Sequence, residues 1–312
     1  MPSVTQHNIT TKRDIVKPIQ YVSEGNTVTS PTLYGTTPWS STFTLVGNNT
    51  EISPVLDVQH LDTSVLGSED VIDAVKSQSL YTFGISFHPI NTTLWSHVWN
   101  ACASGSTPNP DISLSFTYSY KLDGTQYYQH IRGARPTSGT LAINRGMWDC
   151  NMTWICKDIT IPNSTDGNTG TPTYNSSETT SAAIIHTDGG GAPFTFNSQN
   201  YGERSFSTTV TRAMSVMAVN GETDITYTKA SARTITFNTD VFAGTTGAIT
   251  SLYTDYEAKT ARAFSYKFTT SPSKTLTYSN AILTGYDEKK AAGNTDALVI
   301  SLTGRSESVT DL

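Results

Sequence analysis

The chain has 312 residues, of which 36% are apolar and only 15% are charged, and its formal net charge is −6. The acidic balance argues against a protein that grips nucleic-acid phosphates through a basic surface. Residues 1–11 lack the apolar core of a secretory leader, and no apolar run approaches the roughly 18 residues of a membrane-spanning helix, so we expect a protein made in the cytoplasm that does not contact a membrane.

The length suggests about two domains of roughly 150 residues each. Abundant Thr, Ser and Asn take the place of charged residues, a composition typical of β-rich proteins with many polar turns. Residues 1–39 show no clear period and contain Pro18, Pro31 and Pro38. They predict an extended N-terminal arm that only a neighbouring molecule would order.

Two strands are predicted next, over residues 41–45 and 54–61. In the second of them Asp57 and Gln59 lie on one face and Leu56 and Val58 on the other, the alternation of a strand between a core and a polar surface. A long connection over residues 60–77 follows. Its acidic residues lack the spacing of a calcium-binding loop, so a solvated loop is the better interpretation.

Residues 80–87 alternate as a strand that ends at Pro89. Thr92 or Thr93 can then cap a helix over residues 92–103. The apolar stripe of this helix has helical spacing and consists of Leu94, Trp95, Val98, Trp99 and Cys102. It can be interpreted as an aromatic ligand-binding box, but such a stripe more often marks a helix that closes a β-sandwich.

Strong alternation predicts a strand over residues 112–121, and Asp123-Gly124 predicts a tight turn into a returning strand over residues 126–132. A second hairpin joins residues 140–144 to residues 147–159. Residues 161–193 are rich in Thr, Ser, Asn and Gly and have few apolar residues, so they predict a linker or a surface excursion.

The order of loop, strand and helix occurs twice. Residues 67–103 recur at 221–257 with a constant shift of 154 positions, so that Gly67 falls on Gly221 and Thr82-Phe83 falls on Thr236-Phe237. Apolar residues at helical spacing return at the same place in the second copy: Ala248, Ile249, Leu252, Tyr253 and Tyr256. Identity is low, but the matched order of elements predicts a duplicated unit.

We therefore predict a mainly β protein with two tandem β-sandwich or β-barrel domains, each flanked by one short α-helix. The expected organisation is an extended N-terminal arm at 1–39, a first β domain at 40–160, a linker or excursion at 161–193 and a second β domain at 194–312.

The sequence contains no motif for catalysis, cofactor binding or metal binding. Its six histidines are scattered, and neither a phosphate loop nor a nucleophile elbow occurs. We expect no catalytic residue, no cofactor and no metal, with a site assembled only in three dimensions as the open alternative. Cys150 and Cys156 would lie roughly 20 Å apart along one strand, too far for a disulfide, so all three cysteines are interpreted as small buried apolar groups.

Two segments and the order of the elements resemble a known family. The segments are GTLAINRGMWDCNMTWICK at residues 139–157, which looks like the strand, turn and strand that close a domain, and TDALVISLTGR at residues 295–305. With the order of strand, long loop, strand, helix, hairpin and final strands over residues 40–160 and 194–312, they resemble the tail tube proteins, or major tail proteins, of long-tailed bacterial or archaeal viruses.

This resemblance implies a structural virion protein. Tube domains of that family are β-sandwiches with a flanking helix that lend strands to a barrel shared by a ring, and stacked rings form a tube for viral DNA. The usual ring has six single-domain subunits, so a chain with two such domains implies a homotrimer with pseudo-sixfold symmetry. The implied partners are further copies of the chain, other tail proteins at the tube ends and viral DNA in passing, without specific binding. The implied location is the virion tail, after assembly in the host cytoplasm.

Two other functions stay open. One is a surface-layer, pilus or adhesin module of tandem β-sandwiches, which six Asn-x-Ser/Thr triplets favour and the missing secretory leader disfavours. The other is the tube protein of a secretion or contractile injection apparatus, which shares the fold and differs in cargo.

For a tube, we predict that Asp57 and Gln59 face the lumen. The long loops at 60–77 and 214–231 should contact neighbouring subunits, because they contain apolar residues that a free loop would not need. Those apolar residues are Val65, Leu66, Val71, Ile72, Met217 and Val219.

Overall fold

A computed structural model describes residues 14–25, 31–63, 73–90, 93–99, 112–122, 124–144, 147–160, 173–174, 194–217, 227–242, 246–270, 273–289 and 298–311. Across these ranges the chain is mainly β with two α-helices and a large, almost wholly antiparallel sheet, as the sequence predicts.

The first half of the chain comprises β1 (Asp14–Ser23), β2 (Thr42–Leu45), β3 (Asn48–Thr63), β4 (Asp73–His88), α1 (Thr93–Trp99), β5 (Leu114–Leu122), β6 (Thr125–Asn144), β7 (Met147–Cys156) and β8 (Asp158–Ile159). The short strand β9 (Thr173–Tyr174) follows it. The second half comprises β10 (Phe194–Phe196), β11 (Gln199–Met217), β12 (Tyr227–Phe242), α2 (Thr246–Glu257), β13 (Arg262–Thr270), β14 (Ser273–Lys289), β15 (Val299–Ser306) and β16 (Ser308–Asp311).

The two halves pair their strands in the same order. In the first half β3 pairs with β4, β4 with β7, β7 with β6, and β6 also with β5 and β8. In the second half β11 pairs with β12, β12 with β15, β15 with β14, and β14 also with β13 and β16. A register shift also recurs, between Pro136 and Ser138 of β6 and between Leu283 and Gly285 of β14.

In each half, one long strand passes from one layer of strands to another. β6 pairs with β5 up to Ala134 and with β7 from Arg135, and β14 changes partner in the same way after Ala281. Aromatic side chains fill the space between the layers. Phe83 meets Phe116 with ring centroids 5.3 Å apart in the first half, and Phe237 meets Phe264 at 4.3 Å in the second.

Both helices pack on one hydrophobic core that extends through the two halves, where the ring centroids of Trp148 and Tyr266 lie 5.6 Å apart. In α1, Leu94, Trp95 and Val98 are buried, which favours the interpretation of the stripe as a helix closing a sandwich. In α2, Leu252 is buried and Tyr253 is 45% exposed. Cys150 and Cys156 are free and buried, as the sequence predicts, and Cys102 lies outside the described residues.

One layer runs through both halves. Its eight strands lie in the order β3, β4, β7, β6, β11, β12, β15, β14, joined at the centre by the pairing of β6 with β11. Each neighbouring pair in this layer is antiparallel.

The expectation of a free arm is wrong for residues 14–23. They form β1, which pairs with β5 and β2 of the same chain and buries Ile19 and Tyr21. Pro18 made this segment look unlike a strand in the sequence. The structure accommodates the proline with a register shift between Lys17 and Gln20.

The expectation of long irregular loops is also wrong for residues 60–63, 73–77, 214–217 and 227–231. β3 continues to Thr63 and β4 returns from Asp73, while β11 continues to Met217 and β12 returns from Tyr227, so these residues extend two long pairs of antiparallel strands. Polar residues on both faces of these ends obscure the period-two signal. The loop candidates Val65, Leu66, Val71, Ile72 and Val219 lie outside the described residues, and Met217 lies in β11 without a described side chain.

Within the predicted linker at 161–193, only Thr173 and Tyr174 are described. They form β9, which runs parallel to β2 in the register Thr42↔Thr173.

Candidate assembly interface

The face of the eight-stranded layer that points away from the core, here called the open face, is polar. One row of side chains crosses seven adjacent strands in direct register and consists of Glu51, Ser86, Asn151, Thr140, Thr209, Thr236 and Arg305. All seven are exposed or half-exposed, although most of their chain neighbours, such as Ile235 and Phe237, are buried. The period of two therefore gives the layer one core face and one face of hydroxyl and amide groups.

Charges on the open face are few, and more of them are acidic than basic. The described acids are Glu51, Asp149, Asp240 and Asp287, and the described bases outside the histidines are Lys289 and Arg305. Two of the acids have a close partner on this face. His88 Nδ1 lies 2.7 Å from Asp149 Oδ1, and Lys289 Nζ lies 3.9 Å from Asp240 Oδ1.

The joint between the halves, here called the internal joint, is a strand pairing. β6 and β11 pair from Ser138↔Thr211 to Ala142↔Ser207. On the open face, the hydroxyls of Thr140 and Thr209 lie 2.9 Å apart across the joint and hydrogen-bond. The two halves are thus connected through main-chain hydrogen bonds of the kind that add one strand to the edge of a sheet.

On the core side, helix α1 covers the internal joint. Gly139 of β6 lies so close to the helix that a Cβ there would stand 2.7 Å from Val98 Cγ1. Arg212 of β11, only 4% exposed, donates from Nε to the carbonyl oxygen of Val98 at 2.6 Å. This carbonyl is among the last four of α1, which have no partner within the helix and carry the negative end of its dipole. A cation from the second half therefore caps the helix of the first.

A second contact between the halves involves residues 24–47, which the second half does not match. The Tyr34 hydroxyl lies 3.3 Å from Thr228 Oγ1, in the hairpin of β11 and β12. The Arg135 guanidinium stacks on the Tyr34 ring at 4.9 Å. Burial raises the pKa of Tyr34 to about 12, so the phenol stays neutral at ordinary pH.

The segment that carries Tyr34 is anchored by the buried carboxylate of Glu24. It accepts hydrogen bonds from the amides of Gly35 and Gly133, at 2.7 Å each, and from the hydroxyls of Ser113 and Ser115. These four donors satisfy both oxygens of a group that would be costly to bury alone.

The strand at each end of the eight-stranded layer is an edge strand. Among the described residues β3 pairs only with β4, and residues 282–289 of β14 pair with β15 on one side alone. The edge of β3 presents Pro54 and Val55, the latter 53% exposed. Beside the edge of β14, Tyr286 packs against two tyrosines of α2, with ring centroids 5.6 Å from Tyr253 and 6.0 Å from Tyr256.

The lumen candidates Asp57 and Gln59 lie in edge strand β3, opposite Leu80 and Gln78 of β4. Their side chains are outside the described residues. Their positions have the strand parity of Ser53 and Val55, which belong to the open face. Gly139 and Arg212, at the internal joint, were not among the residues predicted from the sequence. The sequence does contain one sign of the open face there. Polar residues alternate with apolar or buried ones through residues 205–211 of β11 and 234–240 of β12.

A scan against protein-family models finds no match, and a search of curated proteins finds no relative. Within the described ranges, no helix is long and apolar enough to cross a membrane. In the same part of the chain, no three His, Cys, Asp or Glu side chains cluster as metal ligands. Neither comparison assigns a family to this chain.

Proposed function

We propose that this chain is a structural virion protein, without enzymatic activity, that assembles into stacked rings and forms a tail tube through which viral DNA passes. The observation that carries the proposal is the internal joint. One half of the chain already joins the other by edge pairing of β6 with β11. The layer ends on one side in β3, which corresponds to β11, and on the other in β14, which corresponds to β6.

The proposal includes a tandem duplication of one tube domain. Pro54↔Phe83 in the first hairpin corresponds to Thr208↔Phe237 in the second, with the same shift of 154 positions that the sequence shows. The shared register shift in β6 and β14 supports the same relation. Similar order of pairing, helix position and irregularity together favour common descent of the halves over two unrelated sandwiches.

A ring follows from adding further copies in the same way. Repeating the internal joint between chains is a head-to-tail contact, which produces a ring if the rotation closes and a filament if it does not. If six units close the ring, as the resemblance implies, three chains supply them with pseudo-sixfold symmetry. Closure would also bury both free edges, which otherwise invite uncontrolled strand pairing.

A DNA conduit suits the open face. A barrel wall needs a polar face toward the channel and an apolar face toward the sandwich cores, which is how the side chains of the eight strands alternate. Hydroxyl and amide groups with a small excess of acids would not retain phosphates, so DNA could slide past them. The backbone positions of Asp57 and Gln59 share the strand parity of Ser53 and Val55, which supports the prediction that they face the channel.

Negative-stain imaging of the purified protein tests the proposal. Tubes with a regular ring repeat are expected, since both edges are present in one chain. Thin fibres or persistent monomers would contradict it and favour a surface-layer, pilus or adhesin module. If tubes form, the contents of native particles decide the cargo. DNA within the tube supports a viral tail, and particles that carry protein instead would assign the same fold to a secretion or injection apparatus.

A further inference from the structure

We propose that the edge of β14 pairs antiparallel with the edge of β3 of a second copy, in the register Ser53↔Lys289 and Val55↔Asp287. This inference rests on the proposed function and deepens it, because it names the partner surface and its alignment. The occupant of each edge is another copy of this chain.

The register comes from transferring the internal joint through two internal correspondences. Positions in β3 match β11 at a shift of 154, since Val55↔Thr82 corresponds to Thr209↔Thr236. Positions in β6 match β14 at a shift of 147, since the register shift between Pro136 and Ser138 falls on the register shift between Leu283 and Gly285. The internal pairs Ser207↔Ala142 and Thr209↔Thr140 then become Ser53↔Lys289 and Val55↔Asp287.

The chemistry of the two edges fits this alignment. Pro54 has no N–H to donate to β4, so its nitrogen belongs on the outer side of β3. Ser53 and Val55 then occupy non-hydrogen-bonded positions of the new pair, where the Cα atoms of the two strands approach most closely. Lys289 would lie diagonal to Glu51 on the open face, within reach of an ion pair. All of these side chains are exposed in the single chain.

The new joint is weaker than the internal one. Val58 takes the place of Arg212, and Leu252, which takes the place of Val98, lies inside α2 and not at its end. The charged cap on the helix carbonyl is therefore missing, and Pro54 removes one main-chain donor. Assemblies should come apart into whole chains and leave the internal joint intact.

Paired cysteines test the register. The in-register pairs are S53C with K289C and V55C with D287C, whose Cα atoms would lie about 4.5 Å apart, inside the range for a disulfide. The matched controls are the diagonal pairs S53C with D287C and V55C with K289C, at about 7–8 Å. Each double variant and each single variant is assembled, oxidised and separated on a non-reducing gel.

We expect the two in-register variants to give dimers and trimers that end at three chains, and the diagonal and single variants to stay monomeric. Cross-linking of the diagonal pairs instead would overturn the register. A ladder that continues beyond three would overturn closure by three copies. Tubes seen by microscopy without any cross-link would overturn this edge pairing and leave the tube function standing, whereas a monomer without tubes or cross-links would overturn both.

Discussion

Arg212 is the residue through which the second half caps the helix of the first. Its Nε donates to Val98 O at 2.6 Å from a buried position, and a buried hydrogen bond with a charged donor contributes about 1.5–3 kcal/mol. We expect Arg212→Met to lower the free energy of unfolding by about 1–3 kcal/mol, because the carbonyl loses this donor while the side-chain volume is kept. Urea unfolding measures the loss.

The matched control is Arg305→Met, on the exposed side of the same layer. There the same substitution should change the free energy of unfolding by less than about 0.5 kcal/mol. Equal effects at the two positions would show that Arg212 acts through general charge and not through the helix carbonyl.

Tyr34 makes stability depend on alkaline pH. Burial raises the pKa of Tyr34 to about 12 from an ordinary value of about 10. The folded state therefore holds the phenolic proton more tightly than the unfolded state. The contribution is fully present below about pH 10 and is lost as the pH rises toward about 12.

The measurement is the difference in free energy of unfolding between the native chain and Tyr34→Phe, at about pH 9 and about pH 11. Phe cannot ionise, so the advantage of the native chain should shrink at the higher pH. Other buried tyrosines titrate equally in both proteins and cancel. An advantage that is constant between the two pH values would mean that Tyr34 is not protected from ionisation.

At the scale of elements, the closeness of α1 to β6 depends on a missing side chain. A Cβ at Gly139 would stand 2.7 Å from Val98 Cγ1, a distance that requires the helix or the strand to move. We expect Gly139→Ala to cost about 1–3 kcal/mol of stability through overpacking. Gly84→Ala is the matched control, because Gly84 lies in β4 of the same layer and has no atom within 4 Å of the new Cβ.

Val98→Ala should rescue the Gly139→Ala variant in part, since it removes the methyl group that collides. A double-mutant cycle followed by thermal unfolding gives the coupling energy, expected to favour the double variant by about 0.5–3 kcal/mol over additivity. Additive losses would place the strain somewhere other than between Val98 and Gly139.

The elements that the sequence predicts well are those with one buried, apolar face. Two predictions agree with the structure, the strand that contains Phe83, Ile85 and Phe87 and the hairpin turn at Gly124. Alternating apolar residues mark the strand in the sequence, and a glycine marks the positive φ of the turn. β1 was missed because a proline interrupts it and only the partner strand β5 explains how the bulge is accommodated. The far ends of the two long hairpins were missed because their sequence does not alternate clearly between polar and apolar residues.

The internal joint could not be predicted in the same way. Pairing of β6 with β11 is a contact between residues about 70 positions apart, such as Thr140 and Thr209, and no local pattern encodes it. Gly139 and Arg212 become meaningful only when that contact brings α1 over the joint. Of the eight strands in the layer, only β3 was predicted to have a polar face toward a channel, at Asp57 and Gln59, whose side chains lie outside the described residues.

For the whole molecule, the charge of the open face should control the passage of DNA. Thr211 is exposed on that face at the internal joint, and Thr211→Lys would repeat a positive charge in every chain of every ring. We expect assembled Thr211→Lys tubes to retain DNA, with retention that increases as salt decreases, because phosphate contacts release counterions. Asp57→Lys should act in the same direction.

The control is Thr254→Lys, with the same substitution on an exposed position of α2, away from the open face. DNA ejection from particles at two ionic strengths compares the variants. Normal ejection by Thr211→Lys tubes at both ionic strengths, or equal retention by the Thr254→Lys control, would place the open face outside the channel.

The central claim is that copies of this chain close a ring with the open face toward the channel. Cryo-electron microscopy of the assembled particle tests it most directly. We expect a threefold ring in which each chain contributes its eight-stranded layer to one continuous wall, with Thr209 and Thr236 pointing to the channel. A particle without threefold symmetry, or a ring whose open face points outward, would contradict the claim.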